Sequence, residues 1–517
     1  MKKPYNILFI ITDQQRADHN GFMGNSILRT PNIDAMAASG MAFDNAWVSN
    51  PVCMPNRGSI MTGRMPSAHG VIFNDRSLDW NANTFVRRFR SSGYRTGLLG
   101  KSHLQHGMSK NSIVPFRGES SGRSPYPDGW DQLEDFDRYE ETEITDPEDF
   151  YGFDHIELSI DHGARLSGHH LKWALEKGGK YEDLVIDLDG EMPGSRRSEH
   201  WRQIYRPPYD AQLHSTSFVT ERTMAFINSA ESEQKPWLAW CSFPDPHHPM
   251  TPPGNWFDLY DPAEIELPDT RLDNLESAPQ HLKIFASIHP KDQRNWVAPC
   301  GFGSDSLLRE AIAATYGMIA MIDEGIGQII HLLEEKNIRN NTIIVFTSDH
   351  GDMMGDHSLF LKGFMHYRGT LQVPLVISVP ELSPGRTFKL ASSLDLGPTL
   401  MDLCDIANYD GIQGKSLRPI IEDPTRNVRD HILIEDDVPQ VTAKLTPIPA
   451  RTRTLLMDEF KFTRNSKGEE QLFDLQKDPN EMSNIVDRPE LRSRMLTTLN
   501  DAMMQADDSS RGAPSTH

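Results

Sequence analysis

Paired cysteines are missing from this sequence. Only Cys53, Cys241, Cys300 and Cys404 occur, far apart and without a CxxC spacing, which argues against a disulfide framework or a structural zinc site. Positive charge is short as well. Lys and Arg number 52 against 73 Asp and Glu, a formal charge of −21, the wrong sign for a nucleic-acid backbone or an anionic membrane as main partner. No apolar run approaches the ~20 residues that cross a bilayer, and no internal repeat is found. Lysines at 2 and 3 before the apolar residues 7–12 look superficially like a secretion signal. That run is short, and Asp13, Gln14, Gln15 and Arg16 follow it where a small-residue cleavage site would stand. It reads as a buried first strand, and the protein as cytoplasmic.

What is present is an ordinary globular composition, 38% hydrophobic and 24% charged over 517 residues, long enough for one large domain and a smaller one. The first hundred residues read as an α/β unit: a strand over 7–12, a helix over 32–39 ended by Gly40, a helix over 84–91 and a strand over 94–99. From about 104 to 210 the periodicity gives way to polar, Gly- and Pro-rich sequence, read as a loop-rich insertion. Regular pattern resumes with a helix over 216–229, a strand over 237–243, a long helix over 306–335, strands over 342–347 and 374–378, and a helix over 396–403. The methionines of the long helix sit at core spacing. Beyond about 415, short strands over 452–457, 460–464 and 471–475, a turn at Asn465–Gly468, and a helix over 490–506 read as a small antiparallel subdomain. The expected division is 1–415 and 416–517, with a mobile tail from Asp507.

Polar clusters follow several of the buried strands, where open α/β sheets place their sites. They are Asp13 with Gln14; Gly100, Lys101 and His103; His247 and His248 between two prolines; and Ser348, Asp349, His350, Gly351 and Asp352. Cys53, Pro55 and Arg57 form another cluster, and Asp356, His357 and Lys362 complete the set. Oxygen donors with one or two imidazoles suit a hard or borderline divalent cation. Arg and Lys beside a cysteine suit an anion or a charged transition state. An enzyme this acidic needs such local cations, because its bulk field repels anionic substrates. Taken singly each residue has a plainer reading: Asp13 as a turn cap, Lys101 and His103 as surface loop, Cys53 as a small buried hydrophobe.

Cys53-x-Pro55-x-Arg57, continued by Gly58 to Gly63, resembles the signature of the sulfatase family. The resemblance extends through Asp13, the Gly-Lys-x-His of 100–103, the Pro-His-x-Pro of 246–249, the Ser-Asp-His-Gly of 348–351, Asp395 to Thr399, and Asp474 to Pro479. It departs at Gln14 and His350, where many sulfatases carry Asp and Asn; these look more like the phosphonate monoester hydrolase branch. Met54 and Asn56 stand where small residues are commoner.

The resemblance implies an alkaline phosphatase-like α/β sandwich, with a large mostly parallel sheet between helices and a smaller antiparallel C-terminal sheet. It implies hydrolysis of a small anionic sulfate ester, with phosphonate monoester or phosphodiester hydrolysis as the alternative. Cys53 would be oxidised to formylglycine by a formylglycine-generating enzyme. One divalent ion per subunit, Ca²⁺ or Mn²⁺, would be held by Asp13, Gln14, Asp349, His350 and modified Cys53. A hydroxyl of the aldehyde hydrate would attack sulfur. Arg57 and Lys101 would orient the hydrate, His247 and Lys362 would contact the sulfate and assist the leaving alkoxide, and His103 would take the proton that releases sulfate. A homo-oligomer is implied only by the resemblance. His248, His357 and Asn74 stay open between pocket lining and structural bonding. His106, His162, His169, His170 and His366 read as structural or surface residues.

Overall fold

The apolar runs form strands because their residues alternate between two buried faces. In β1 (Asn6–Thr12) Ile7, Phe9 and Ile11 enter one core cluster while Leu8 and Ile10 enter another, the pattern of a strand covered on both sides. The computed structural model describes residues 4–107, 126, 129–141, 149–160, 162, 166–186, 196–290 and 299–507. The main sheet also contains β2 (Met41–Phe43), β3 (Arg95–Gly100), β4 (His155–Leu158), β5 (Trp237–Ser242), β6 (Thr342–Ser348), β7 (Leu375–Ser378) and β8 (Gly385–Thr387), in the order β8-β2-β7-β6-β1-β5-β3-β4. Its pairings are parallel except those of β7 with β6 and β2. The carboxyl ends of β1, β3, β5 and β6 therefore open on one edge.

Helices α1 (Pro31–Ser39), α5 (Ser215–Ser232) and α6 (Asp305–Glu335) pack on one face through Ile33, Met36, Phe218, Phe226, Ile322 and Ile329. The Ser304 hydroxyl accepts the Leu307 amide at 3.2 Å and caps α6. On the other face lie α2 (Cys53–Thr62), α3 (Phe85–Ser91) and α7 (Leu396–Leu403), held by Phe85, Phe89, Leu396 and Leu400. Beyond the large sheet, β9 (Ile432–Asp437), β10 (Arg451–Leu456), β11 (Phe460–Asn465) and β12 (Glu470–Asp474) form an antiparallel sheet in chain order. Helix α8 (Pro489–Ala506) covers it with Met495, Leu499 and Ala502 against Leu433, Leu455, Phe462 and Leu472. No helix among the described residues is long and apolar enough to cross a membrane. The four cysteines are free.

Several elements were not legible in advance. Within the insertion, His155–Leu158 pairs with β3 as the sheet's edge strand, and α4 (His169–Glu176) forms a helix. The strand is only four residues and half polar, so its alternation is too short to stand out. β9 begins the small sheet but ends Glu435, Asp436, Asp437, a run that reads as surface although all three are buried. Most of the tail from Asp507, expected to be mobile, lies outside the described residues.

His170 shows how this packing couples to pH. Its ring stacks on Phe218 at 4.9 Å and its Nε2 lies 2.9 Å from the Leu213 carbonyl. Burial, with a smaller push from His214, lowers its pKa to about 3. The unfolded chain takes up a proton below its ordinary value of 6.5 that the folded chain refuses, so this contribution is complete above that value and is lost as pH falls. At pH 5 the loss amounts to about 2 kcal/mol. The expected result is a drop in Tm between pH 7 and 5 that is smaller in His170→Gln, measured by calorimetry at both pH values.

Candidate active site

The site is assembled where the parallel strands end. Gly100 closes β3 with φ 108°, and a Cβ there would lie 2.0 Å from the Ser242 carbonyl at the end of β5. Glycine allows that approach, so the Lys101 amide reaches the same carbonyl at 2.9 Å and the Lys101 side chain turns into the site. Gly351 is comparable: a Cβ would meet the Gly369 carbonyl at 1.9 Å. Gln14 adopts φ 67° just past β1, a left-handed conformation held by its amide donating to Asp349 Oδ1 at 3.0 Å.

Arg57, fully buried on α2, knits these turns together. Its Nε donates to Asp349 Oδ2 at 2.7 Å, and Nη1 donates to the Lys101 carbonyl at 3.1 Å and Ser242 Oγ at 2.9 Å. Its Nη2 lies 3.5 Å from Asp13 Oδ2. A buried pair of this kind adds little net stability, yet losing one partner strands the other. Asn56 explains its own departure from a small residue. Its Nδ2 donates to the Asp349 carbonyl at 2.6 Å, while its Oδ1 accepts from the Ser49 amide and hydroxyl at 3.1 and 2.8 Å and from Ser393 Oγ at 2.7 Å.

Cys53 sits at the buried N-terminus of α2 with its Sγ 3.5 Å from both Lys362 Nζ and Asn74 Nδ2. Burial would raise its thiol, but Lys362, His103 and Lys101 together hold it well below the ordinary range. For His103, burial is the main cause of a pKa near 4, with Lys101 adding to it, so at neutral pH the ring is an acceptor. Asp13 is likewise held well below the usual carboxylate range: burial opposes ionisation, but Lys101 and Lys362 outweigh it. Lys101 Nζ contacts Asp13 Oδ2 directly. Burial, reinforced by neighbouring His162, pushes His247 well down.

The donors left over fit a cation. Asp13 Oδ1 and Gln14 Oε1 are buried without a hydrogen-bond partner. His350 Nδ1 lies 2.9 Å from the Gly351 carbonyl; donating there, it leaves Nε2 a lone pair facing Asp13 Oδ1 at 3.7 Å and Asp349 Oδ1 at 3.6 Å. Ligand atoms of Asp13, Cys53 and His350 lie within 4.8 Å of one another. Lys362 Nζ is 3.0 Å from His350 Nε2 and 3.8 Å from Asp13 Oδ1.

Ten residues singled out by sequence thus converge: Asp13, Gln14, Cys53, Arg57, Lys101, His103, His247, Asp349, His350 and Lys362. Asn74 and His248 join them, His248 Nδ1 lying 3.1 Å from Gln14 Nε2. His357 does not; it pairs with Asp273 at 2.8 Å and stacks on Tyr367. His162 corrects the reading of a surface or structural histidine. It comes from the insertion to stack on His247 at 3.6 Å, contacts Lys101 and lies 3.6 Å from Asp13 Oδ2. It has no motif of its own, so only the fold reveals it. Asp352, noted within a cluster but given no role, contacts the Gln14 amide and accepts from the Met354 amide at 2.8 Å.

This constellation agrees with comparison to known proteins. The Sulfatase family profile matches residues 5–406. The chain belongs to the sulfatase family. An arylsulfatase of Clostridium perfringens (strain 13 / Type A) is 31% identical over 514 residues, spanning 95% of this sulfatase and 92% of its own chain. A choline-sulfatase of Rhizobium meliloti (strain 1021) is 28% identical over 490 residues, spanning 94% and 83%. A second profile, N-sulphoglucosamine sulphohydrolase C-terminal, matches residues 355–508. Among solved structures, the phosphonate monoester hydrolase of Agrobacterium radiobacter superposes with a TM-score of 0.77 at 23% identity over 97% of this chain and 95% of its own; it attests the shared fold. This sulfatase is a sulfuric ester hydrolase of mixed α/β architecture, with a large mostly parallel sheet and a separate antiparallel sheet near its C-terminus.

Proposed function

We propose that the chain hydrolyses sulfate monoesters with residue 53 in its formylglycine form and one divalent ion, Ca²⁺ or Mn²⁺, held by Asp13, Gln14, Asp349, His350 and residue 53. The observation that carries this is the pairing, within one buried cluster, of unpartnered Asp13 and Gln14 oxygens with a residue 53 ringed by Lys362, Lys101 and His103. The ion, when bound, lowers the pKa of a coordinated hydroxyl, and the aldehyde hydrate supplies that hydroxyl. Oxygen donors suit Ca²⁺; the His350 nitrogen suits Mn²⁺.

The chain's own residues do the remaining work. Arg57 fixes Asp349 and the start of β3's turn, so the donors are preorganised. Neutral His103, beside the residue 53 side chain, is placed to take a proton from it. His247 Nδ1 contacts the His248 carbonyl. With its proton committed there and the ring neutral, His247 offers an acceptor at Nε2. Lys362, whose ammonium carries its own donors, is then the proton source at the leaving oxygen.

A second reading, hydrolysis of phosphonate monoesters or phosphodiesters, is favoured by Gln14 and His350, which stand where many sulfatases carry Asp and Asn. Both substrate classes carry one negative charge. A phosphate monoester carries nearly two, and the cations at hand are already engaged: Arg57 with Asp349 and Asp13, and Lys101 with Asp13. The expected order of kcat/KM is sulfate monoester, then singly charged phosphorus esters, then phosphate monoesters. Substrates sharing one leaving group, assayed with one batch of known formylglycine content, provide the test. A phosphonate or diester ahead by more than about tenfold, roughly 1.4 kcal/mol in barrier, transfers the assignment to the second reading.

A further inference from the structure

Lys362 stands on a loop that does not hold itself. Leu361, Gly363 and Phe364, which bracket it, have φ of 69°, 85° and 61°. For Leu and Phe each such conformation is strained by the Cβ, and it persists only where surrounding groups fix it. Leu361 is fixed from the loop that follows β6: its amide donates to Asp352 Oδ1 at 3.1 Å and its carbonyl accepts from the Met353 amide at 2.8 Å. Phe364 is fixed from outside. Its carbonyl lies 3.0 Å from His281 Nε2, and its amide donates to Asp436 Oδ2 at 3.2 Å.

Asp436 belongs to β9, the first strand of the small C-terminal sheet, and is buried there. The same carboxylate oxygen lies 3.4 Å from His366 Nε2, whose Nδ1 is 2.7 Å from Thr454 Oγ1 on β10. The strand also grips the other side of the site. The Glu435 carbonyl accepts from Asn50 Nδ2 at 2.6 Å and its amide donates to the Ser49 carbonyl at 2.9 Å. Asn50 Oδ1 in turn accepts the Val52 amide at 2.8 Å, one residue before Cys53. One strand thus braces both the segment leading into Cys53 and the loop of Lys362, whose reactive atoms stand 3.5 Å apart.

We infer that Asp436 is a positioning residue: by holding the Phe364 amide it sets the Lys362 ammonium against residue 53, so that the C-terminal sheet is part of the catalytic apparatus. The inference rests on the proposed role of Lys362. Its test is a double-mutant cycle on an activated aryl sulfate, with each protein checked for formylglycine content and Tm. Asp436→Ala is expected to lower kcat/KM by about 100-fold, the scale of an ångström-sized misplacement. Asp436→Asn, which keeps an acceptor oxygen, should stay within about threefold of the parent. In a Lys362→Ala background, Asp436→Ala should add less than about threefold, because two residues acting through one contact are not additive. A loss that multiplies in full in that background, or an Asp436→Asn as impaired as Asp436→Ala, overturns the inference. Lys362→Ala with parental turnover removes instead the reading of Lys362, and the brace with it. If Asp436→Ala does not fold, His281→Phe, which deletes the group facing the Phe364 carbonyl, is read in the same cycle against the same criteria.

Discussion

Asp13→Asn is expected to lower kcat/KM by about a thousandfold and to abolish stoichiometric metal binding while leaving the chain folded. The substitution changes charge with almost no change of shape. Asp13 is the only one of the proposed ligands placed against both Lys101 and Arg57 while keeping an oxygen free of hydrogen bonds. Removing its charge therefore acts twice: the cation loses a carboxylate, and two buried cations lose a counter-charge. The second effect predicts some destabilisation, since breaking a buried pair costs about 3–5 kcal/mol when one partner is left alone. In Asn that cost is softened, because its carbonyl oxygen still accepts from Lys101. A fall in Tm of several degrees with a cooperative transition is the expected signature. Elemental analysis of dialysed protein, together with calorimetry and kinetics, reads all three consequences. An Asp13→Asn protein that holds one metal per chain and turns over near the parental rate sinks the metal assignment.

How much of this was visible in the chain can be judged from particular residues. The strands that carry the site were legible because they are doubly buried and therefore uniformly apolar, and because polar residues begin abruptly at Asp13, Lys101 and Asp349. Cys53 and Arg57 were legible through the Cys-x-Pro-x-Arg pattern that resembles the sulfatase signature. His162 was not, because the insertion that delivers it has no periodicity and the contacts that place it, on Lys101 and His247, join residues 61 and 85 positions away. Asp436 was missed for a different reason. Three acidic residues in a row ordinarily mean a solvated surface, whereas here Glu435 is taken up by Ser67, Asp436 by Phe364 and Asp437 by Arg453. Sequence patterns report solvent exposure on average; they do not report which buried partners make an exception affordable.

The second large effect concerns residue 53 itself. Cys53→Ser is expected to lower steady-state turnover by at least about ten-thousandfold, although it keeps a hydroxyl in the right place. A serine has one hydroxyl. Once it has accepted the sulfuryl group it has nothing left to expel it with, so a Cys53→Ser protein should be sulfated at most once per chain and then stop. The parental thiol is no substitute. Its lowered pKa, at a helix N-terminus beside Lys362, Lys101 and His103, makes a reactive thiolate, but a soft sulfur nucleophile would be trapped in the same way. The same basic surroundings suit an aldehyde hydrate better, because they stabilise an alkoxide and His103 stands ready for the remaining proton. The parental enzyme should therefore show the tryptic peptide Thr30–Arg57 about 18 Da lighter than its sequence mass, or near that mass when recovered as the hydrate. Activity across preparations should scale with the converted fraction. Mass spectrometry and active-site titration of the same samples decide the matter: full turnover from protein whose residue 53 is entirely thiol rules the formylglycine out.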